Sequence, residues 1–300
     1  MKSIISWIGG KRALVPEILP RFPSNFKKYV EVFGGGASVL FAIKPTDTFE
    51  VYNDFQNNLT NLFQVIRDKP LELLHELGMF PLNSREEFNA LKNLIDGTYD
   101  FNESLDSELE IAEKNLSVPD YEEIVELLLK KAKRLDVRRA ATYYKVVQLS
   151  YGSNCRSYGM KPCDIMRIQY TLFKASKRLK RTVIENLDFE RLISIYDSEY
   201  TFFYCDPPYF KTERSYKADF FEKDHIRLKK VLSNIKGKFL LSYNDCPFIR
   251  ELYRDYYIVP LTRLNNLKQS KDPGSEFPEL LIANYDITNK RLAHEQVQLF

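Results

Sequence analysis

The stretch Phe202–Phe210, FFYCDPPYF, sets a single carboxylate between an apolar run and two prolines. Asp206 precedes a proline, which biases it toward extended backbone, and Pro207 and Pro208 have fixed φ and no N–H. The turn is therefore stiff. At the end of a buried strand it can hold the Asp206 carboxylate and the Pro207 carbonyl toward one point. Two acceptors so placed match the two hydrogens of an exocyclic amine, and Tyr209 adds a face on which a planar ring can stack. The chemistry this suits is recognition of an aromatic amino group such as N6 of adenine.

A second constellation is EVFGGGASVLFAI, Glu31–Ile43. Three glycines follow an expected strand and open an expected helix, so backbone can approach a ligand closely at the carboxyl end of an open sheet. The spacing departs from G-x-G-x-x-G and no G-K-[ST] follows, which argues against a dinucleotide or a nucleoside triphosphate. The second strand ends in VYNDF and places Asp54 about 20 residues after the glycines, where an acid accepts hydrogen bonds from ribose hydroxyls. A nucleoside-containing cofactor fits that pair. Other chemistry is thin. Cys205 lacks the Pro-Cys context of a cytosine-attacking nucleophile and reads as an inert strand residue. His75, His225 and His294 have no triad or metal partner at readable spacing, and the zinc deaminase signature is missing.

These residues need elements to position them. Strands are expected at 29–33, 48–53, 182–186, 200–205, 237–243, 256–261 and 279–285, with helical patterns between most of them. Seven strands separated by helices suggest a doubly wound α/β sheet. About 130 residues between the second and third strands lack a convincing strand run, far more than a crossover needs. They read as an inserted, mostly helical domain over 68–172, with 1–67 and 173–286 forming the sheet domain and 287–300 a tail. An acidic polar stretch, 97–119, reads as a mobile loop of the insertion.

At 300 residues, 44% hydrophobic and 28% charged, the chain can bury a sizeable core. The longest apolar runs are far short of a membrane span and the first residues lack a signal core, so the expected location is the cytoplasm. Four cysteines with no C-x-x-C pair suit reduced thiols. The net charge is only +3, but Lys174–Arg181 holds five basic residues in eight and Lys130–Arg139 six in ten. Basic clusters of this kind meet phosphate or form solvated helix faces.

DPPY (Asp206–Tyr209), the FGGG turn (Phe33–Gly36), WIGGKR (Trp7–Arg12), LLSYND and ELLIANY together resemble the DNA adenine N6-methyltransferases of the DNA adenine methylase type. The order of motifs is that of the family's alpha group, and the resemblance covers 1 to about 286. It implies a seven-stranded, Rossmann-like methyltransferase sheet with the insertion as target-recognition domain. It also implies S-adenosylmethionine as cofactor, with no metal. By the same resemblance Phe33, Gly34 and Gly36 lie under the methionine moiety, Asp54 binds the ribose, and Asp188 and Phe189 meet the cofactor's adenine. Trp7 and Lys11 close over the pocket, and Asp206 borders both ligands. Asp206, Pro207 and Tyr209 are the implied catalytic residues. The implied substrate is duplex DNA with the target adenine turned out of the stack. Candidate DNA contacts are Arg139, Ser153, Asn154 and Arg156 in Arg138–Pro162, which resembles the family's target-recognition hairpin, together with Lys177, Arg178 and Lys211. Arg156 is the first choice for a guanine edge; a phosphate contact is the alternative. A monomer is expected, with a cognate restriction endonuclease as an open partner. An RNA adenine methyltransferase and a catalytically silent DNA-binding relative stay open. A protein-glutamine methyltransferase is disfavoured, since those enzymes carry Asn in place of Asp206.

Overall fold

The computed structural model describes residues 1–5, 7, 9–45, 47–79, 84–96, 110–133, 137–153, 155–159, 165–211, 220–264 and 276–289. The chain divides into two compact units, Met1–Gln56 with Arg181–Phe300, and Asn57–Lys180.

The first unit is built on a seven-stranded sheet. Its strands are β1 (Lys28–Glu31), β2 (Phe49–Asn53), β3 (Thr182–Glu185), β4 (Thr201–Cys205), β5 (Lys238–Asn244), β6 (Tyr257–Leu264) and β7 (Glu276–Ala283), in the order β3-β2-β1-β4-β5-β7-β6. The first five run parallel, and β7 is antiparallel to both β5 and β6. Every expected strand is present within a few residues of its expected ends. β4, TFFYC, is buried along its whole length, as a central parallel strand covered on both faces must be. β6 lies at the sheet edge, where the missing N–H of Pro260 leaves no ladder bond unmade. Helices Phe189–Tyr196, Glu222–Leu232 and Pro247–Leu252 fill successive connections. Among the described residues no helix is long and apolar enough to cross a membrane.

β1 and β4 are neighbours, with Glu31 in register with Tyr204 and the Val32 N–H donating to the Tyr204 carbonyl at 2.9 Å. From β1 the chain crosses to β2 on one side, and from β4 to β5 on the other. This is the switch point of the sheet, where ligands bind outside the carboxyl ends of the strands. It sets the glycine turn beside the Asp-Pro-Pro turn.

The expected helix after the glycines does not form. Residues 34–43 are a run of turns, with Gly35 at φ 49° and Ala37 at φ 53°. Left-handed backbone at two nearby positions cannot propagate an α-helix. The Leu40 N–H bonds instead to Oε2 of Glu31 at 2.8 Å, a buried acid that also accepts from the Tyr29 hydroxyl.

The second unit is helical. Val137–Leu149 is buried on nearly all sides, from Ala140 to Leu149, as a central helix is. It packs against Asn57–Asp68, Pro70–Met79 and Arg85–Ile95. The last of these starts in a capping box: the Glu87 N–H donates to Ser84 Oγ and the Ser84 N–H to the Glu87 carboxylate. Of the acidic stretch, residues 97–109 lie outside the described residues.

A Cβ at Gly34 would come within 2.1 Å of the Tyr52 ring, whose hydroxyl donates to the Gly35 carbonyl at 2.8 Å. Gly34→Ala is therefore expected to lower stability by about 1–3 kcal/mol in urea denaturation. Gly78→Ala, whose Cβ would meet nothing within 4 Å, should cost nothing or raise stability by up to ~1 kcal/mol. Equal midpoints for the two variants would show that the turn can yield.

Candidate active site

At the switch point lies a cavity of about 360 Å³. The glycine turn and Asp54 border it, and so do Lys11, Asp206 and Pro207. Asp206 sits one residue beyond β4 and keeps 18% side-chain exposure. Its Oδ1 accepts from Lys11 Nζ at 2.7 Å and from Ser242 Oγ at 2.9 Å. Lys11, only 3% exposed, also donates to the Gly9 carbonyl at 2.8 Å. Burial pushes the Asp206 carboxyl above the usual carboxylate range. The charge and hydrogen bond of Lys11 pull it back, and the Glu279 carboxylate adds to the upward push.

Tyr209 is buried, with its hydroxyl donating to Glu279 Oε2 at 2.6 Å. Burial, and then the charges of Asp206 and Glu279, hold its phenol protonated. The open stacking face expected of this ring is not what the structure presents. Glu279, on β7, draws the hydroxyl inward, and the Lys11 ammonium lies 4.6 Å from the ring centroid.

The glycine turn and Asp54 are bonded to each other. Asp54 Oδ2 accepts from the Gly35 N–H at 2.9 Å, and Oδ1 from the Gln56 N–H at 2.8 Å. Burial pushes this carboxyl upward too, and the two N–H groups oppose it. Asn53 ties together the ends of three strands: its amide donates to the carbonyls of Val32 and Leu187, and its oxygen accepts from the Leu187 N–H. Trp7 packs on the turn so closely that a Cβ at Gly35 would lie 2.8 Å from its ring, and one at Gly36 2.9 Å from its own Cβ. Phe33 and Phe189 pack with ring centroids 5.6 Å apart.

Asp188 borders the cavity but has two structural partners. Oδ1 caps the helix Phe189–Tyr196 through the Glu190 N–H at 3.0 Å, and Oδ2 accepts from Arg227 at 2.6 Å. The Arg227 guanidinium lies 4.3 Å from the Phe189 ring centroid.

The candidate DNA contacts divide. In the second unit, Leu149–Gly159 closes as a hairpin through the Ser150–Tyr158 bridge and the Gly159 N–H to Leu149 carbonyl bond. Arg156 is exposed on it and Ser153 is half-buried. Asn154 lies outside the described residues, as do residues 212–219 of the polar segment after the Asp-Pro-Pro turn. Arg139 is half-buried, Lys177 exposed, and Lys211, in the first unit, exposed. Arg178 is only 9% exposed, contrary to its expected phosphate role. On a helix adjacent residues point about 100° apart, so the turn that shows Lys177 to solvent takes Arg178 inward.

Ser242, Glu279, Glu31 and Asn53 escaped the reading of the sequence. Each leaves one signal there, a polar residue inside an apolar strand run (FLLSY, ELLIA, YVEVF, FEVYN). Such a residue is buried only with partners.

The family model of D12 class N6 adenine-specific DNA methyltransferases matches residues 7–267. Type II methyltransferase M1.LlaDCHI of Lactococcus lactis subsp. cremoris is 25% identical, over 95% of this chain and 96% of its own. Type II methyltransferase M.MjaIII of Methanocaldococcus jannaschii is 28% identical, over 95% and 99%. Type II methyltransferase M.CviBI of Paramecium bursaria Chlorella virus NC1A is 25% identical, over 95% and 100%. A match of this extent, on a sheet whose switch point joins the glycine turn to Asp206, means that the chain belongs to the D12 class of N6 adenine-specific DNA methyltransferases and methylates adenine in DNA with S-adenosylmethionine.

Proposed function

We propose that Asp206 and the Pro207 carbonyl receive the amine of an adenine turned out of duplex DNA, and that the chain acts at one recognition site in a type II restriction–modification setting. The observation that carries the reading is the shared cavity: the stiff acceptor turn and the glycine–Asp54 cradle open into one space. The cradle has the donor set that S-adenosylmethionine needs, an acid for ribose hydroxyls, backbone at the glycines and the Phe33 and Phe189 rings. When bound there, the cofactor supplies an electrophilic methyl group. Metal ions have no part in this reading.

The chain's own work is alignment. Adenine N6 is a poor nucleophile because its lone pair is delocalised into the ring. Hydrogen bonds from N6 to Asp206 and to the Pro207 carbonyl favour a pyramidal nitrogen and offset the positive charge that develops on it. N6 is paired in duplex DNA, so the base leaves the stack at a cost of a few kcal/mol. We assign target recognition to the helical unit, with Arg156 on a base edge and Lys177 on phosphate, and take the active form to be a monomer. The observations in favour are the exposure of both side chains and the type II names of the relatives.

Asp206→Ala should lower turnover by about 10²-fold or more, with cofactor affinity little changed; near-normal methylation would remove the mechanism. Asp54→Ala should weaken S-adenosylmethionine binding by roughly 1.5–3 kcal/mol in a calorimetric titration. The ionised Asp54 is the acceptor, and its pKa is raised by burial. Affinity in the parent protein should therefore fall as pH drops through that raised value, earlier than for an ordinary carboxylate, and Asp54→Ala should flatten the dependence. Equal affinity at every pH would mean another acid holds the ribose.

Arg156→Ala should relax the methylation site at one base pair, since a base-edge contact discriminates by about 1–3 kcal/mol, with the salt slope nearly unchanged. Lys177→Ala should weaken binding to all sequences and flatten the slope by about one unit. Uniform weakening with Arg156→Ala would make that arginine a phosphate anchor.

A further inference from the structure

The two oxygens of Asp206 are not equivalent. Oδ1 takes both protein donors, Lys11 Nζ and Ser242 Oγ, and among the described residues none donates to Oδ2. Ser242 is wholly buried on β5. Cys205 pairs with Leu241, so the next residues, Asp206 and Ser242, run side by side. Behind the serine, the Tyr204 hydroxyl lies 3.1 Å from Ser242 Oγ.

We infer that Ser242 is a positioning residue that dedicates Oδ1 of Asp206 to the protein and leaves Oδ2 as the acceptor for the adenine amine. This rests on the proposed role of Asp206. A serine has one hydrogen, and an ionised carboxylate can only accept. Ser242 therefore gives its hydrogen to Asp206, and Tyr204 gives its own to Ser242. Burial, then the Asp206 charge, pushes the Tyr204 phenol's pKa up, so it keeps a hydrogen to give to Ser242 once the serine's own is on Asp206. Two donors on Oδ1 leave Oδ2 as the site of any added proton. Protonation of Asp206 thus blocks the very oxygen that must accept, and the acid limb of turnover reports this carboxyl.

The groups facing Asp206 come from several elements. Lys11 lies on the N-terminal segment, Tyr204 and Cys205 on β4, Tyr209 on the turn, Ser242 and Tyr243 on β5, and Glu279 on β7. Lys11 and Ser242 lower the carboxyl's pKa, and Glu279 raises it. Removing Ser242 Oγ and removing the Glu279 charge therefore act in opposite directions. A general loosening of the site cannot do that.

The test follows kcat against pH for the full chain, Ser242→Ala, Ser242→Cys and Glu279→Gln, whose amide oxygen can still accept from Tyr209. The same proteins, without cofactor or DNA, are titrated by carbon-13 NMR of their aspartate carboxyls, with the Asp206 signal assigned by its loss in Asp206→Asn. Ser242→Ala should move the acid limb and the Asp206 titration up by about one pH unit. Ser242→Cys, a weaker donor, should move them less, and Glu279→Gln should move both down. The KM for S-adenosylmethionine should hold in all of them. A Ser242→Ala protein with reduced kcat at every pH, an unmoved limb and an unmoved titration would overturn the inference while leaving the Asp206 mechanism standing. Full activity in Asp206→Ala would instead remove the mechanism, and the NMR titration would still decide whether Ser242 bonds to Asp206.

Discussion

The parallel pairing of β1 with β4 is the constraint on which the site depends. More than 170 residues of chain separate Val30 from Phe203, yet the two are in register at the centre of the sheet. Pairing of this kind is non-local, and the ordering entropy it costs is offset by apolar burial on both faces. The all-buried run of β4 and the packing of Val30, Val32, Phe203 and Cys205 in one core supply it. Once the strands pair, the residue that follows each of them is placed to within a hydrogen bond. The glycine turn and the Asp-Pro-Pro turn then face one cavity with no further device, and Asn53 extends the same register to β3.

Charge in this cavity is held at a cost to the fold. Asp54 and Asp206 both have folded-state pKa values raised by burial. A raised carboxyl contributes stability below its unfolded pKa and loses that contribution as pH rises through the folded value. At neutral pH the two ionised acids therefore oppose folding. Lys11 reduces the opposition at Asp206, but it is itself 3% exposed, and a buried ion pair carries the desolvation of both partners. In the mechanism proposed for Asp206, the arrangement offers in return an acceptor oxygen whose orientation is already set when the substrate arrives.

Much of the frame was legible because it follows from period and burial. Apolar runs bounded by turn residues marked all seven strands, and the proline pair marked the stiff turn that holds Asp206. The sequence was less informative where one letter serves two physical ends. Three glycines after a strand suggested a helix start, but Ala37 at φ 53° and the buried carboxylate of Glu31 turn the chain instead. Asp188 carries a ligand-binding motif's letter and is also a helix cap paired with Arg227. Tyr209 reads as an aromatic face, and only the distant Glu279 shows that its hydroxyl turns inward. Lys177 and Arg178 look alike in sequence, and the helix phase separates them into solvent and interior.

The hairpin of the helical unit shows the same economy of backbone. Gly152, Ser153 and Cys155 all take positive φ, at 56°, 59° and 55°. For the two residues with a Cβ this is a sparsely populated conformation, retained only where the surroundings over-determine it. Three contacts do so: the Ser150–Tyr158 bridge, the Cys155 N–H to Ser150 Oγ at 3.1 Å, and Gly159, whose Cβ would lie 2.9 Å from the Ser150 backbone. Tyr158 is fixed in turn by Phe88, its ring centroid 5.7 Å away, in the small core with Val146 and Leu149. Arg156 thus projects from a turn whose backbone is held on both sides. A side chain on such a turn loses little backbone freedom on binding, which favours the base-edge contact proposed for Arg156.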